Sequence, residues 1–157
     1  MKHLLWILAL FFGLSILGCA SQPVHIKETN SEGAHSTNME YTVGLTSPSI
    51  ANKNTNFTIE AKFTNNKDSD IRITHGEKLF TFYISNSKGK IINHYPSTSL
   101  GVVRSIPTNG TIDEGYTFNI DIAGEYEVWA VANFDTSENN TDKKHELPTQ
   151  KQTLVVR

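Results

Sequence analysis

An all-β domain, folded as an antiparallel sandwich of about seven or eight strands, is what this sequence predicts. Three observations carry that expectation. Apolar residues recur at every second position through many short runs, the period of a strand with one buried face. The runs are separated by segments such as "NNKDSD", "NSKG" and "PTNG", whose residues tolerate left-handed backbone and make turns. After Leu17 no window keeps helical spacing for three turns.

The first run, "EYTVGL", sets Tyr41, Val43 and Leu45 on one side. "NFTIEAKFT" puts Phe57, Ile59, Ala61 and Phe63 on one face and Thr58, Glu60 and Lys62 on the other. "IRI" aligns Ile71 with Ile73, and "LFTFYI" aligns Phe80, Phe82 and Ile84. "GYTFNIDI" predicts an inward series of Tyr116, Phe118, Ile120 and Ile122. "GEYEVWAVANF" gives Tyr126, Val128, Ala130, Ala132 and Phe134, and "TLVV" closes the chain.

Ahead of this domain, Met1, Lys2 and His3 precede a 14-residue uncharged stretch from Leu4 to Leu17. A membrane span needs about 20 apolar residues, so the stretch fits the hydrophobic region of a secretory signal. The single cysteine follows in "ILGC". Ile16 is too large for the outer position of an ordinary small-x-small cleavage site. The stretch instead resembles the lipobox of bacterial lipoproteins. That resemblance implies a signal peptide over 1–18, a covalent diacylglycerol on Cys19 and no other cofactor. Residues 19–38 then hold the lipidated cysteine and a polar tether, and 39–157 the domain. The tether, "ASQPVHIKETNSEGAHSTN" after Cys19, carries too little apolar surface to offset the entropy of ordering. The expected address is the extracytoplasmic face of a bacterial cell membrane; the lysine- and asparagine-rich composition suggests a Gram-positive cell.

Removing Lys2 from 14 basic residues against 16 acidic ones leaves the mature chain at a net charge of −3. This argues against the basic patch that a nucleic-acid or anionic-lipid surface requires. With one cysteine, no intramolecular disulfide forms.

"AGEYEV", Ala123 to Val128, resembles the start of strand F in immunoglobulin-like domains. There a tyrosine, here Tyr126, turns its hydroxyl back onto the backbone as a tyrosine corner. Val128 stands where true immunoglobulin domains carry the second cysteine. More of the chain, roughly 41–156, is similar to the domain named after a bacterial intracellular proteinase inhibitor. The residues concerned are "FTNNKDSDIRITHGEKLFTFYISNSKGKII" and "GEYEVWAVANF". The resemblance implies an immunoglobulin-like β-sandwich. His94 and Tyr95 stand where the family often has tryptophan, and no inhibitory loop maps onto the chain.

No constellation for chemistry emerges. There is no G-x-S-x-G and no glycine-rich phosphate cradle, and the thiol is committed to lipid. "HELPT" starts at His145 like a zinc-protease helix, but Thr149 replaces the second histidine and Pro148 breaks helix. His25 and His35 fall in the tether, and His75 and His94 near expected turns, so surface histidines and no metal site are expected. Asp113 and Glu114 read as a charged turn. The second face of strand F carries Trp129 and Val131, with Tyr83 placed similarly on its own strand. If they point outward, they form a binding face; the competing expectation is that a loop over 95–108 covers Trp129. The reading is thus a lipid-anchored, non-catalytic binding or scaffolding module for a protein or envelope ligand. One alternative is an inhibitor of extracellular or envelope proteases, with "YPSTSLGVV" as its loop. The other is a metal-handling accessory lipoprotein, which needs converging histidines.

Overall fold

The computed structural model describes residues 36–37, 40–94, 101–138 and 141–157. The predicted signal peptide, Cys19 and nearly all of the tether lie outside them. The domain is all-β, an immunoglobulin-like sandwich of a four-stranded and a seven-stranded sheet. Its strands are β1 (Ser36–Thr37), β2 (Tyr41–Thr46), β3 (Ile50–Ala51), β4 (Phe57–Asn65) and β5 (Ile71–Asn86). They continue with β6 (Ile91–His94), β7 (Val102–Ile106), β8 (Thr111–Phe118), β9 (Gly124–Glu138), β10 (Thr141–Pro148) and β11 (Gln152–Val156).

One sheet runs β1-β2-β4-β8; the other runs β3-β11-β9-β5-β6, with β10 on β9 and β7 on β5. After β2 the chain changes sheets through Ser47–Ser49, and β3 pairs in parallel with β11. β10 and β11 lie along the same side of β9, at 131–138 and 124–128 respectively. They act as one long strand interrupted after Pro148, which has no N–H to continue a ladder. There Thr149 bridges the gap: its N–H donates to the Ala130 carbonyl and its Oγ1 accepts from the Ala130 N–H.

The alternating residues meet between the sheets. Tyr41, Val43, Ile59, Phe63, Ile73, Phe80, Phe82, Ile84, Val128 and Leu154 are all essentially inaccessible. Tyr41, Phe63 and Phe134 form one aromatic cluster, with centroids 5.2–5.6 Å apart. Phe82 meets Tyr116 at 5.1 Å toward the other end. Left-handed backbone falls in the expected turns, at Gly89 of "NSKG" and Asn109 of "PTNG". Gly89 donates to the Asn86 carbonyl and closes the β5–β6 hairpin.

Two sequence expectations are corrected. "IRI" and "LFTFYI" belong to the single strand β5, which breaks register against β9 between His75 and Phe80. The inward series of "GYTFNIDI" stops at Ile120: β8 ends at Phe118, and Ile122 is 66% exposed. The reversal from 119 to 123 ends the two-residue alternation, so Ile122 leaves the core.

Candidate binding face

Pairing of β5 with β9 sets Tyr83 directly opposite Trp129. Their neighbours Phe82, Ile84, Val128 and Ala130 are fully buried, so the pleat turns both aromatics to the outer face of the larger sheet. The rings stack, with centroids 5.2 Å apart and planes 13° from parallel. From the other side of β9, Lys151 places Nζ 4.7 Å from the Trp129 ring centroid. The same ammonium donates to Glu127 Oε2 at 2.8 Å. A cation over an exposed indole is worth about 0.5–1 kcal/mol, and an exposed ion pair about the same or less. The indole is thus held in one orientation between Tyr83 and Lys151 by weak contacts. Trp129 is half-buried, neither bare nor sealed. Lys151 escapes a reading of the strands alone, because it sits in the break between β10 and β11.

Val131 is a correction. It belongs to the same outer face by register, yet it is only 8% exposed. It occupies a central strand, flanked by Thr81 of β5 and Pro148 of β10, and so is withdrawn from contact. The patch is Tyr83, Trp129 and Lys151.

Tyr126 is nearly buried, and its hydroxyl donates to the Ile122 carbonyl at 2.8 Å. The bond pins the loop before β9 back onto that strand, the arrangement of a tyrosine corner.

His75 contradicts the expectation of a surface histidine, being 5% exposed, and His145 is buried with it at 9%. The ladders align His75, Phe134 and His145 in one row across β5, β9 and β10. His145 stacks on Phe134 at 4.7 Å and meets the Tyr41 ring edge-on. Its Nε2 is hydrogen-bonded to Thr136 Oγ1 at 2.9 Å. Burial pushes both imidazoles below the ordinary histidine pKa, with Arg104 adding to the effect at His75 and Lys143 at His145. Neither nitrogen of His75 makes a hydrogen bond of good geometry. The Thr136 hydroxyl and the His145 imidazole are bonded to each other and nearly buried, beside a cleft that His75, Phe134 and His145 help to line.

Asp113 and Glu114 are not a turn and not a pair. They are successive residues of β8 and therefore face opposite ways. Asp113 meets Lys62 at 3.6 Å on the surface. Glu114 reaches the irregular segment of β5, where Oε1 accepts from the Leu79 N–H and Oε2 from the Phe80 N–H, at 3.0 and 3.1 Å. Among the described residues no three His, Cys, Asp or Glu side chains gather to hold a metal ion, and no helix is long and apolar enough to cross a membrane. A shallow cleft of about 670 Å³ is lined by Thr74, His75, Asn133, Phe134, Asp135, Lys144, His145 and Glu146. A second, of about 390 Å³, lies between Ile92 and the 119–126 segment.

No family model matches the chain, and no curated protein matches it. Solved structures do. The C-terminal domain of wzt aligns with 81% of this chain and 79% of its own at 12% identity, with a TM-score of 0.51. The CARDB domain of a Pyrococcus furiosus protein aligns with 83% of this chain and 97% of its own at 14% identity and a TM-score of 0.47. The major subunit of the type I aggregative adherence fimbriae of Escherichia coli aligns with 78% of this chain and 99% of its own at 15% identity, with a TM-score of 0.44. At such identities the likeness concerns the fold alone.

Proposed function

We infer that this chain is a lipid-anchored, extracytoplasmic binding or scaffolding module that carries out no catalysis. The observation that carries the reading is the Tyr83–Trp129–Lys151 stack on the outer face of the larger sheet. Large aromatics held rigid at a surface contribute much contact energy for little lost rotamer freedom. A partner presenting a flat apolar or aromatic group displaces Lys151 from the indole, at a cost of about 0.5–1 kcal/mol. The lipobox-like "ILGC" supplies the address. The partner is accordingly a protein or ligand of the cell envelope.

The test is crosslinking capture from intact cells with the full-length chain, comparing wild type, Trp129→Ala and Asp113→Ala. Asp113 lies on the other sheet and serves as the control. Loss of a partner band by about tenfold in Trp129→Ala, equivalent to about 1.4 kcal/mol, with the band kept in Asp113→Ala, is the expected result. Equal capture by all three chains removes this face from the reading.

A further inference from the structure

We propose that the end of the sandwich bearing Ile122, Ile91, Ile92, Lys53, Lys88, Lys90 and Arg157 rests on the anionic surface of the bilayer that holds the anchor. The proposal depends on the lipid-anchored reading above.

The direction of the chain supplies the first argument. β1 pairs with β2 in antiparallel register, Ser36 opposite Val43 and Thr37 opposite Thr42. Going back from Thr37 to Ser36 therefore runs toward Thr46, the end of the domain where β4 begins at Phe57 and β8 finishes at Phe118. Cys19 precedes Ser36 by about 17 residues, at most roughly 60 Å of chain. Val43 lies opposite Phe63, six residues along β4 from Phe57, so roughly 20 Å of strand separates it from that end. The chain that leads to the lipid leaves the domain pointing at this end and is long enough to pass it.

The character of the end supplies the second. Ile122 is 66% exposed, Ile91 43% and Ile92 42%. Ile92 and Ile122 line one cleft there with Asn86, Asn119 and Tyr126. The alternation of β8 would have buried Ile122, and the Tyr126 hydroxyl, bonded to its carbonyl, holds its loop in place. Around these isoleucines stand exposed Lys88 and Lys90 of the β5–β6 turn, Lys53 before β4, and Arg157, whose backbone bonds Ala51 and Lys53. Asp121 and Glu125 stand among them, and Glu127, in the row of Ser85 and Ile91, is paired with Lys151. A chain of net negative charge thus turns a basic, isoleucine-bearing end toward its own anchor. Each basic side chain near an anionic surface is attracted to it, while exposed isoleucines lose water in the interfacial region.

The single natural thiol makes the test direct, because acylation of Cys19 leaves an introduced cysteine as the only free one. Full-length lipidated Ile122→Cys and, as the opposite-end control, Asp68→Cys carry an environment-sensitive fluorophore. Both are reconstituted into vesicles of phosphatidylethanolamine with phosphatidylglycerol, with and without brominated acyl chains. The Ile122→Cys label should be quenched at least about threefold more than the Asp68→Cys label. Adding Lys88→Glu and Lys90→Glu should bring the two close together. Equal quenching in chains that float with the vesicles overturns the docking and leaves the anchor standing. Chains that fail to float overturn the anchor, and the docking with it. A label at 122 that is shielded in cells but not in vesicles assigns this end to a protein partner instead and also overturns the proposal.

Discussion

Single side chains carry the most local consequences. Tyr126 is nearly buried, and its hydroxyl donates to the Ile122 carbonyl. Tyr126→Phe should cost about 1 kcal/mol, read as a lower denaturation midpoint with unchanged slope; an unchanged midpoint would mean the bond contributes nothing net. The two core histidines give the domain a pH dependence. Burial holds their folded pKa values below the ordinary 6.5 of histidine, so between pH 6.5 and the folded values the unfolded chain binds more protons. Stability is therefore full above about pH 6.5 and falls as pH drops through the folded values. Denaturation midpoints measured from pH 7.5 to 5 should decline on the acid side, and His75→Phe with His145→Phe should flatten that decline. Neither histidine was legible as a core residue. His75 continues the series of Ile71 and Ile73 with a residue type that usually faces water, His145 lies in the polar run "TDKKHELP", and the row with Phe134 places both inside.

At the scale of elements, β5 is the strand that the pattern divides in two. Ile71 and Ile73 alternate correctly, as do Phe80, Phe82 and Ile84, but the segment between them shifts register against β9. Such an irregularity leaves backbone N–H groups without ladder partners. The carboxylate of Glu114 takes two of them, from Leu79 and Phe80, and so ties the smaller sheet to the larger. Glu114→Ala should destabilise the domain by about 1–3 kcal/mol. Hydrogen exchange should show the Leu79 and Phe80 amides losing protection first; protection unchanged there would show that the backbone finds other acceptors. Asn65 ties the elements at the end opposite Ile122. Its amide donates to the carbonyls of Ser69, Ile106 and Pro107, and its Oδ1 accepts from the Lys67 N–H. These long-range polar ties leave no periodic trace, which is why Glu114 read as part of a charged turn and Asn65 did not stand out in the sequence.

At the scale of the whole molecule, a sandwich with no disulfide rests on its core, and its address is proposed to rest on one residue. Cys19→Ala should leave the signal unprocessed, so that no membrane-bound chain of processed mass appears; membrane retention at the processed mass would remove the lipoprotein reading. The sequence alone determined the all-β class, the inward faces of β2, β4 and β9, and the turns at Gly89 and Asn109. Those follow from local rules, a two-residue period and backbone conformations that few residues tolerate. It also brought forward Tyr83, Trp129 and Tyr126, since outward and inward positions on one strand are fixed by parity. Tertiary structure decided the rest. Whether an outward residue is covered depends on which strands flank it, so Val131 is closed off while Trp129 stays half-open beneath Lys151. Where an alternating run stops depends on the neighbouring strand rather than on the run, and that is why Ile122, apolar and in phase, ends at the surface.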